Sequence, residues 1–410
     1  MCEMRLGRCR ASARCIEFGS TPMDITTLEE VQEKLRLVLS DFTQDQNTEL
    51  PPLGSAGWRG VDLDRHTFAA PSVLLATLHS IKGWDKYGPE EKMRWGIPAR
   101  YKGIDFSFEL RKFGLCLLVR DVPEADPTFV HELCRRIQSA IRATERYLKD
   151  IARQQADSGN VTVGNHFWRF DAAYHFFREH ASEAYRKPDP PMRVTRRSTD
   201  GTPIVWSGTV MHGQREGSHY STAMLDAYFS RLEHTLILIL PFLNFDPSMG
   251  RLLEMIGARW DEKFRQVFDL SNDRQAKECY DRLKSIKEQF RNTLAHGGFE
   301  KGIASLHFHF QGVGALPAAL SRHQDSWEFQ FVPLPEATFE DVASVFDEFD
   351  AYLETGPTKY GMRFAKTGLD VCFDTDSRAR YAAAMTSEAE FEEMIAFLSY
   401  DHDRHVNMDY

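Results

Sequence analysis

The sequence predicts an α+β protein that is mainly α. A central helical bundle over 218–300 is flanked by an N-terminal α+β region and a C-terminal α+β region. Three observations carry that reading. Apolar residues recur at three- and four-residue steps through 126–153, 169–187, 220–243 and 272–299, the period of amphipathic helices. Alternation is confined to short runs, Ile104 to Val119 and then SLHFHFQ and WEFQFVPL, the period of strands. A proline-rich break near 188–200 separates the helical halves. For 410 residues, two or three domains are expected. The boundaries read as a disordered leader at 1–22, a mainly helical α+β region at 23–187, a linker with a short strand at 188–217, the bundle at 218–300, and an acidic α+β region at 301–410.

In chain order, the leader MCEMRLGRCRASARC lacks the apolar core of a secretory signal, and Met23 is a candidate functional start. Residues 24–42 begin with a cap-like Thr and carry Val31, Leu35, Leu37, Val38 and Leu39 on a helical period. APSVLLATLHSIKGW is a second apolar helix. Ile104 to Val119 predicts a hairpin turning at Lys112-Phe113-Gly114. Asp126-Pro127 opens a long helix through Arg153 with Val130, Leu133, Ile137, Ile141 and Tyr147 on one side. An aromatic helix follows over Arg169 to Lys187.

Lys187 to Asp200 has three prolines, no periodicity, and Arg193, Arg196 and Arg197 close together. It reads as a solvated connector, with a phosphate-contacting strip as the sharper alternative. Pro203 to Met211 is a short strand. The first bundle helix, Tyr220 to Leu243, is apolar on nearly all faces in its second half and therefore central. Glu233 and His234 interrupt it, so each needs a polar partner. For Glu233 that is either an ion pair, with Arg291 as the candidate, or a role as a carboxylate that orients the residues beyond. Ser248 caps a short helix to Arg259, and Trp260 to Phe268 forms another. After the bundle, Thr338 to Leu353 is an acidic helix, KYGMRF and GLDVCFD are short strands, and Ser387 to Leu398 is the last helix. The terminal YDHDRHVNMDY reads as a frayed charged tail.

Composition excludes some functions. The longest apolar run, Leu236 to Phe245, is broken by Pro241 and Asn244, so no membrane span is expected. None of the seven cysteines forms a Cys-x-x-Cys pair, and Cys116, Cys134, Cys279 and Cys372, in apolar or helical text, read as reduced thiols in a cytoplasm. The net charge of −10 belongs to the end of the chain, because 336–410 holds 17 acidic and 6 basic residues. The rest is near neutral, which leaves a nucleic-acid partner open. His307 and His309 lie two apart on a strand without an acidic or cysteine partner, and they read as exposed histidines. No metal site and no cofactor is expected.

The chemistry is concentrated in NDRQAKECYDRLKSIKEQFRNTLAHGGF, 272–299, which reads as one long helix. Asn272 is the N-cap candidate, Gln275 reaches back, and Gly297-Gly298 mark the end. Ala276, Cys279, Leu283, Ile286, Phe290 and Leu294 form a buried stripe, from which Asn292 and His296 point away on one outward face. Arg291 sits on the flank, about 140° from His296. A histidine that titrates near neutrality and an arginine that forks onto phosphate suit metal-free RNA cleavage, in which the 2′-hydroxyl attacks its own phosphate. Spacing alone also fits a cationic last turn that offsets the helix dipole.

The run Phe290-Arg291-Asn292-Thr293-Leu294-Ala295-His296-Gly297 resembles the Arg-polar-x3-His signature of the HEPN superfamily. The resemblance extends upstream to Tyr220 and includes Tyr228-Phe229-Ser230-Arg231-Leu232-Glu233-His234. It covers about a fifth of the chain. It implies a HEPN-like bundle of four or five helices that dimerises so that two motifs face one cleft. It also implies a ribonuclease of toxin or antiviral-defence type. His296 would be the general acid or base, Arg291 would stabilise the phosphate, and Asn292 would hold a phosphate oxygen or the His ring. Glu233 is a supporting candidate, the products are 2′,3′-cyclic phosphates, and no metal takes part. The partners implied are RNA and a second copy, with a regulatory protein or nucleotide considered. Other members have lost catalysis and only dimerise or bind nucleotide or RNA, which is the alternative reading. Gly297, Gly298 and Phe299 replace the tyrosine that one toxin branch carries after its histidine.

Overall fold

The computed structural model describes residues 27–45, 48, 50, 57–63, 68–188, 191–197, 203–209, 212–288, 306–311, 314–321, 326–328 and 336–408. The protein is α+β and mainly α. No helix among the described residues is long and apolar enough to cross a membrane. The chain divides into two compact units within a long helix, between Ala152 and Arg153. The sequence predicts that boundary at 187/188; the aromatic helix 169–187 instead belongs to the second unit. The leader and Met23 lie outside the described residues.

In the first unit, Thr27 caps α1 (Leu28–Val38) through a capping box with Glu30. Val31 and Leu35 are buried, while Leu37 faces solvent. The strands β1 (Phe42–Thr43), β2 (Trp58–Asp62), β3 (Met93–Tyr101), β4 (Ile104–Arg111) and β5 (Gly114–Arg120) form an antiparallel sheet of order β1-β3-β4-β5-β2. The β4–β5 hairpin turns as expected, with Gly114 at φ 136°. Helix α2 (Pro71–Leu75) runs into a π turn (Ala76–Ile81), and α3 (Pro127–Ser158) buries Leu133 and Ile137 in the same core cluster as Ile97, Phe106 and Leu117. The sequence reading missed β3 because MRWGIPARY does not alternate: Gly96, on the opposite face from Trp95 and Ile97, is also buried. A Cβ on Gly96 would stand 2.2 Å from the Tyr87 ring.

In the second unit, α4 (Phe167–Arg186) and α5 (His212–Leu238) lie side by side. Gly217 allows their close approach, since a Cβ there would meet the Tyr185 ring at 2.6 Å. A 3-10 turn (Leu240–Phe242) leads to α6 (Arg251–Gly257), α7 (Trp260–Val267) and α8 (Arg274–Ile286). A two-residue strand β6 (Thr162–Val163) pairs far along the chain with Val371–Cys372.

Four findings differ from the sequence reading here. The connector between α4 and α5 is a β-ribbon, β7 (Pro191–Arg197) paired antiparallel with β8 (Pro203–Thr209). The expected hairpin after the bundle has three strands, β9 (Leu306–Phe310), β10 (Gly314–Ser321) and β11 (Ser326–Glu328), because the Gly- and Pro-bearing stretch between the two alternating runs also pairs. KYGMRF belongs to a helix. After α9 (Glu336–Thr355), α10 (Lys359–Thr367) buries Met362, Phe364 and Ala365, presses Gly361 against Ile239, and stops at Gly368 in the left-handed region. Then β12 (Val371–Cys372), α11 (Thr375–Ala384) and α12 (Glu388–Asn407) follow, and α12 carries the terminal stretch read as frayed through residue 407.

The core runs across the expected boundary at 300/301. Tyr228 on α5 stacks on Phe346 of α9 at 3.6 Å, and Phe264 on α7 meets Phe349 of α9 at 5.3 Å. Cys116, Cys134, Cys279 and Cys372 are free thiols.

Candidate functional site

Helix α8 carries the chain toward the Arg-Asn-x3-His run. Its cap is Asp273 rather than Asn272: the Asp273 carboxylate accepts from the Ala276 N–H at 2.9 Å and also from the Tyr352 hydroxyl. The Asn272 amide donates to Asp269 instead. Ala276, Cys279, Leu283 and Ile286 are buried as the periodicity predicts, with Tyr280 added; Tyr280 stacks on Trp260 at 5.5 Å. Residues 289–305 lie outside the described residues, and so do Arg291, Asn292 and His296.

Glu233 is described, and its partners are two lysines that the sequence reading did not single out. Lys263 of α7 approaches its carboxylate at 3.4 Å and Lys287, just past α8, at 3.5 Å. Both lysines are buried, while Glu233 is partly exposed. The Lys287 ammonium also lies over the rings of Phe229 and Trp260, at 4.9 and 5.2 Å. A signal existed: Lys263 falls three residues after Trp260 and beside Phe264, on the apolar stripe of its helix. A lysine on such a stripe needs a buried counter-charge.

His234 faces a different neighbour. Its Nε2 accepts from the His166 backbone N–H at 2.9 Å, and its ring stacks on that of His166 at 5.8 Å and tilts against Phe170. Accepting at Nε2 requires that nitrogen to carry no proton. Burial first, then the charges of His166 and Lys263, hold the His234 pKa down at about 4, so the ring is neutral at pH 7.

One turn earlier, Arg231 is buried between α4 and α9. It donates to Asp171 at 2.6 Å and to Asp350, between the Tyr174 and Tyr228 rings at 4.5 and 4.9 Å. In the stretch Tyr228 to His234, Arg231 and Tyr228 therefore lock helices together. Glu233 and His234 are partly exposed, and Glu233 meets Lys287, which precedes Arg291 by four residues.

Two other features lie elsewhere in the second unit. Between α8 and α9 an open cleft of about 580 Å³ is lined by Arg274, Glu278, Cys279, Arg282 and Glu348. Its cations are already engaged, Arg274 by Glu278 at 2.8 Å and Arg282 by Glu348. At the chain end, His405 bonds back to the Asp401 carbonyl at 2.8 Å within α12. No group of three or more His, Cys, Asp or Glu placed to hold a metal occurs among the described residues. Compared with protein-family models, curated proteins and solved structures, the chain matches none.

Proposed function

We propose that this protein is a homodimeric, metal-independent endoribonuclease of HEPN type that acts as a toxin or antiviral-defence effector. In this reading His296 moves the proton, Arg291 stabilises the charge that develops on phosphorus, and Asn292 holds a phosphate oxygen or the His296 ring. The 2′-oxygen bonds to phosphorus as the bond to the 5′-oxygen breaks, leaving a 2′,3′-cyclic phosphate and a 5′-hydroxyl. One observation carries the reading. The helix that leads into Arg291 buries the expected stripe in a helical bundle, and its continuation at Lys287 is tied to Glu233, within the other stretch on which the family resemblance rests. A cytoplasmic setting is consistent with the free thiols.

A non-catalytic module that dimerises or binds nucleotide or RNA is the second reading. It is favoured by the charge of 218–300, where 11 basic residues face 12 acidic ones. Cleavage of RNA by wild type, His296→Ala, Arg291→Ala and Arg291→Lys, with and without a chelator, separates the two. The enzyme reading expects His296→Ala to abolish cleavage with binding nearly intact. It also expects Arg291→Lys to restore binding better than rate, since ammonium lacks the guanidinium fork. Cleavage that stops with chelator, or survives both alanine substitutions, leaves the binding module.

A further inference from the structure

The stretch between α4 and α5, which reads as a connector in the sequence, is built as a ribbon with an unusual charge. Residues 186–215 hold six basic and two acidic side chains, a balance of +4 in a chain of net −10. Three of the cations, Arg193, Arg196 and Arg197, are on β7, and neither PMRVTRR nor PIVWSGT contains an acidic residue. The register sets Arg193 across from Ser207, Arg196 from Ile204 and Arg197 from Pro203, so no acidic residue stands at a position paired with an arginine. Alternation places Arg193 and Arg197 on one face and Arg196 on the other, with Val194 opposite Trp206. Among the described residues the ribbon is two-stranded and joins no larger sheet. At its base Arg186 adds a further exposed cation.

We infer that the β7–β8 ribbon is a phosphate-backbone contact for single-stranded RNA, set apart from the chemistry. RNA as the polyanion rests on the proposed function above. Arginine suits this task because its planar fork pairs with phosphate oxygens and stays charged at any working pH. The acidic stretch 336–410 repels phosphates, so an encounter is steered toward the strongly basic segment. Position matters as well. Glu233 lies 21 residues along the same helix from His212 at the ribbon's end of α5. At 1.5 Å per residue the separation is about 30 Å. A strand held at both places spans several nucleotides, so the ribbon favours long RNA over short RNA without reading its sequence.

The test uses the full chain and 2′-O-methyl RNA, which binds but cannot be cleaved, as oligonucleotides of about 6 and about 30 nucleotides. The combined Arg193→Gln, Arg196→Gln and Arg197→Gln variant is compared with wild type and with the corresponding triple Lys variant. Removing three phosphate contacts should weaken binding of the long RNA at least roughly tenfold at moderate salt and make the log K against log salt slope shallower by about 2. The short RNA should be little affected, and the Lys variant should keep most of the long-RNA affinity. Long-RNA affinity and slope unchanged in the Gln variant would overturn the inference. So would a Lys variant that loses binding as fully as Gln, because the loss would then follow ribbon structure rather than charge. Cleavage plays no part in this readout. An inactive protein with the expected shift removes the enzyme reading and keeps the ribbon; an active one with no shift does the reverse.

Discussion

Arg231 of α5 donates to Asp171 of α4 at 2.6 Å, in a buried position where the guanidinium also holds Asp350 of α9. One cation thereby joins the helix before the ribbon, the central helix and the first helix of the acidic region. Burial pushes the Asp350 carboxyl above its ordinary range, against the pull of Arg231 and the Tyr228 hydroxyl.

Arg231→Met should therefore be severe. It removes the buried charge that two partly buried carboxylates share, at a cost of about 2–4 kcal/mol once their exposure is discounted. Adding Asp350→Asn should recover part of that loss, because one orphaned carboxylate disappears. Chemical denaturation of the single and double variants measures both; equal stability of the two would contradict the shared-charge account.

Glu233→Gln takes the carboxylate from Lys263 and Lys287 at once. The site is partly open and the contacts are 3.4 and 3.5 Å, so the expected loss is modest, about 1–3 kcal/mol. Lys263→Met should cost less than Glu233→Gln, since methionine fills the buried stem's space and Lys287 still meets the carboxylate. The reverse order in urea midpoints would show that Glu233 does not anchor the cluster.

His234 supplies a pH dependence. Its folded pKa, about 4, lies below the ordinary 6.5, so the unfolded chain takes up a proton that the native state refuses. The stability contribution is fully present above pH 6.5 and is lost as pH falls from 6.5 toward 4. With its partial solvent exposure discounted, the swing is about 1–2 kcal/mol. His234→Gln should flatten that part of the stability profile. A variant curve parallel to wild type over this range would assign the acid sensitivity to other groups.

The start of α8 gives a comparison between neighbouring residues. Asp273→Ala removes the cap and the acceptor of the Tyr352 hydroxyl, for a loss of about 1–2 kcal/mol. Asn272→Ala removes only a donor to Asp269, with an expected change within about 0.5 kcal/mol. Melting temperatures of the two variants decide it. A larger fall for Asn272→Ala would restore Asn272 as the cap.

By itself, the sequence determined the helices and the hairpin whose apolar residues keep one period and face one core. Leu133 and Ile137 on α3, Ala276, Cys279 and Leu283 on α8, and the β4–β5 turn at Gly114 are of this kind, because burial of a single stripe or face leaves its period in the text. The Arg-Asn-x3-His run stands out in the sequence because Asn292 and His296 fall away from the stripe that Phe290 and Leu294 continue, and it lies outside the described residues. Only the tertiary structure decided the rest. It made β3 a strand buried on both faces, turned the proline-rich connector into a ribbon, and set the C-terminal helices into the bundle's own core through Phe346 and Phe349. It also chose Lys263 and Lys287 as the partners of Glu233. Pairings of this kind join residues dozens of positions apart, and the energy that selects them comes from desolvation and close packing between elements, which no local period records.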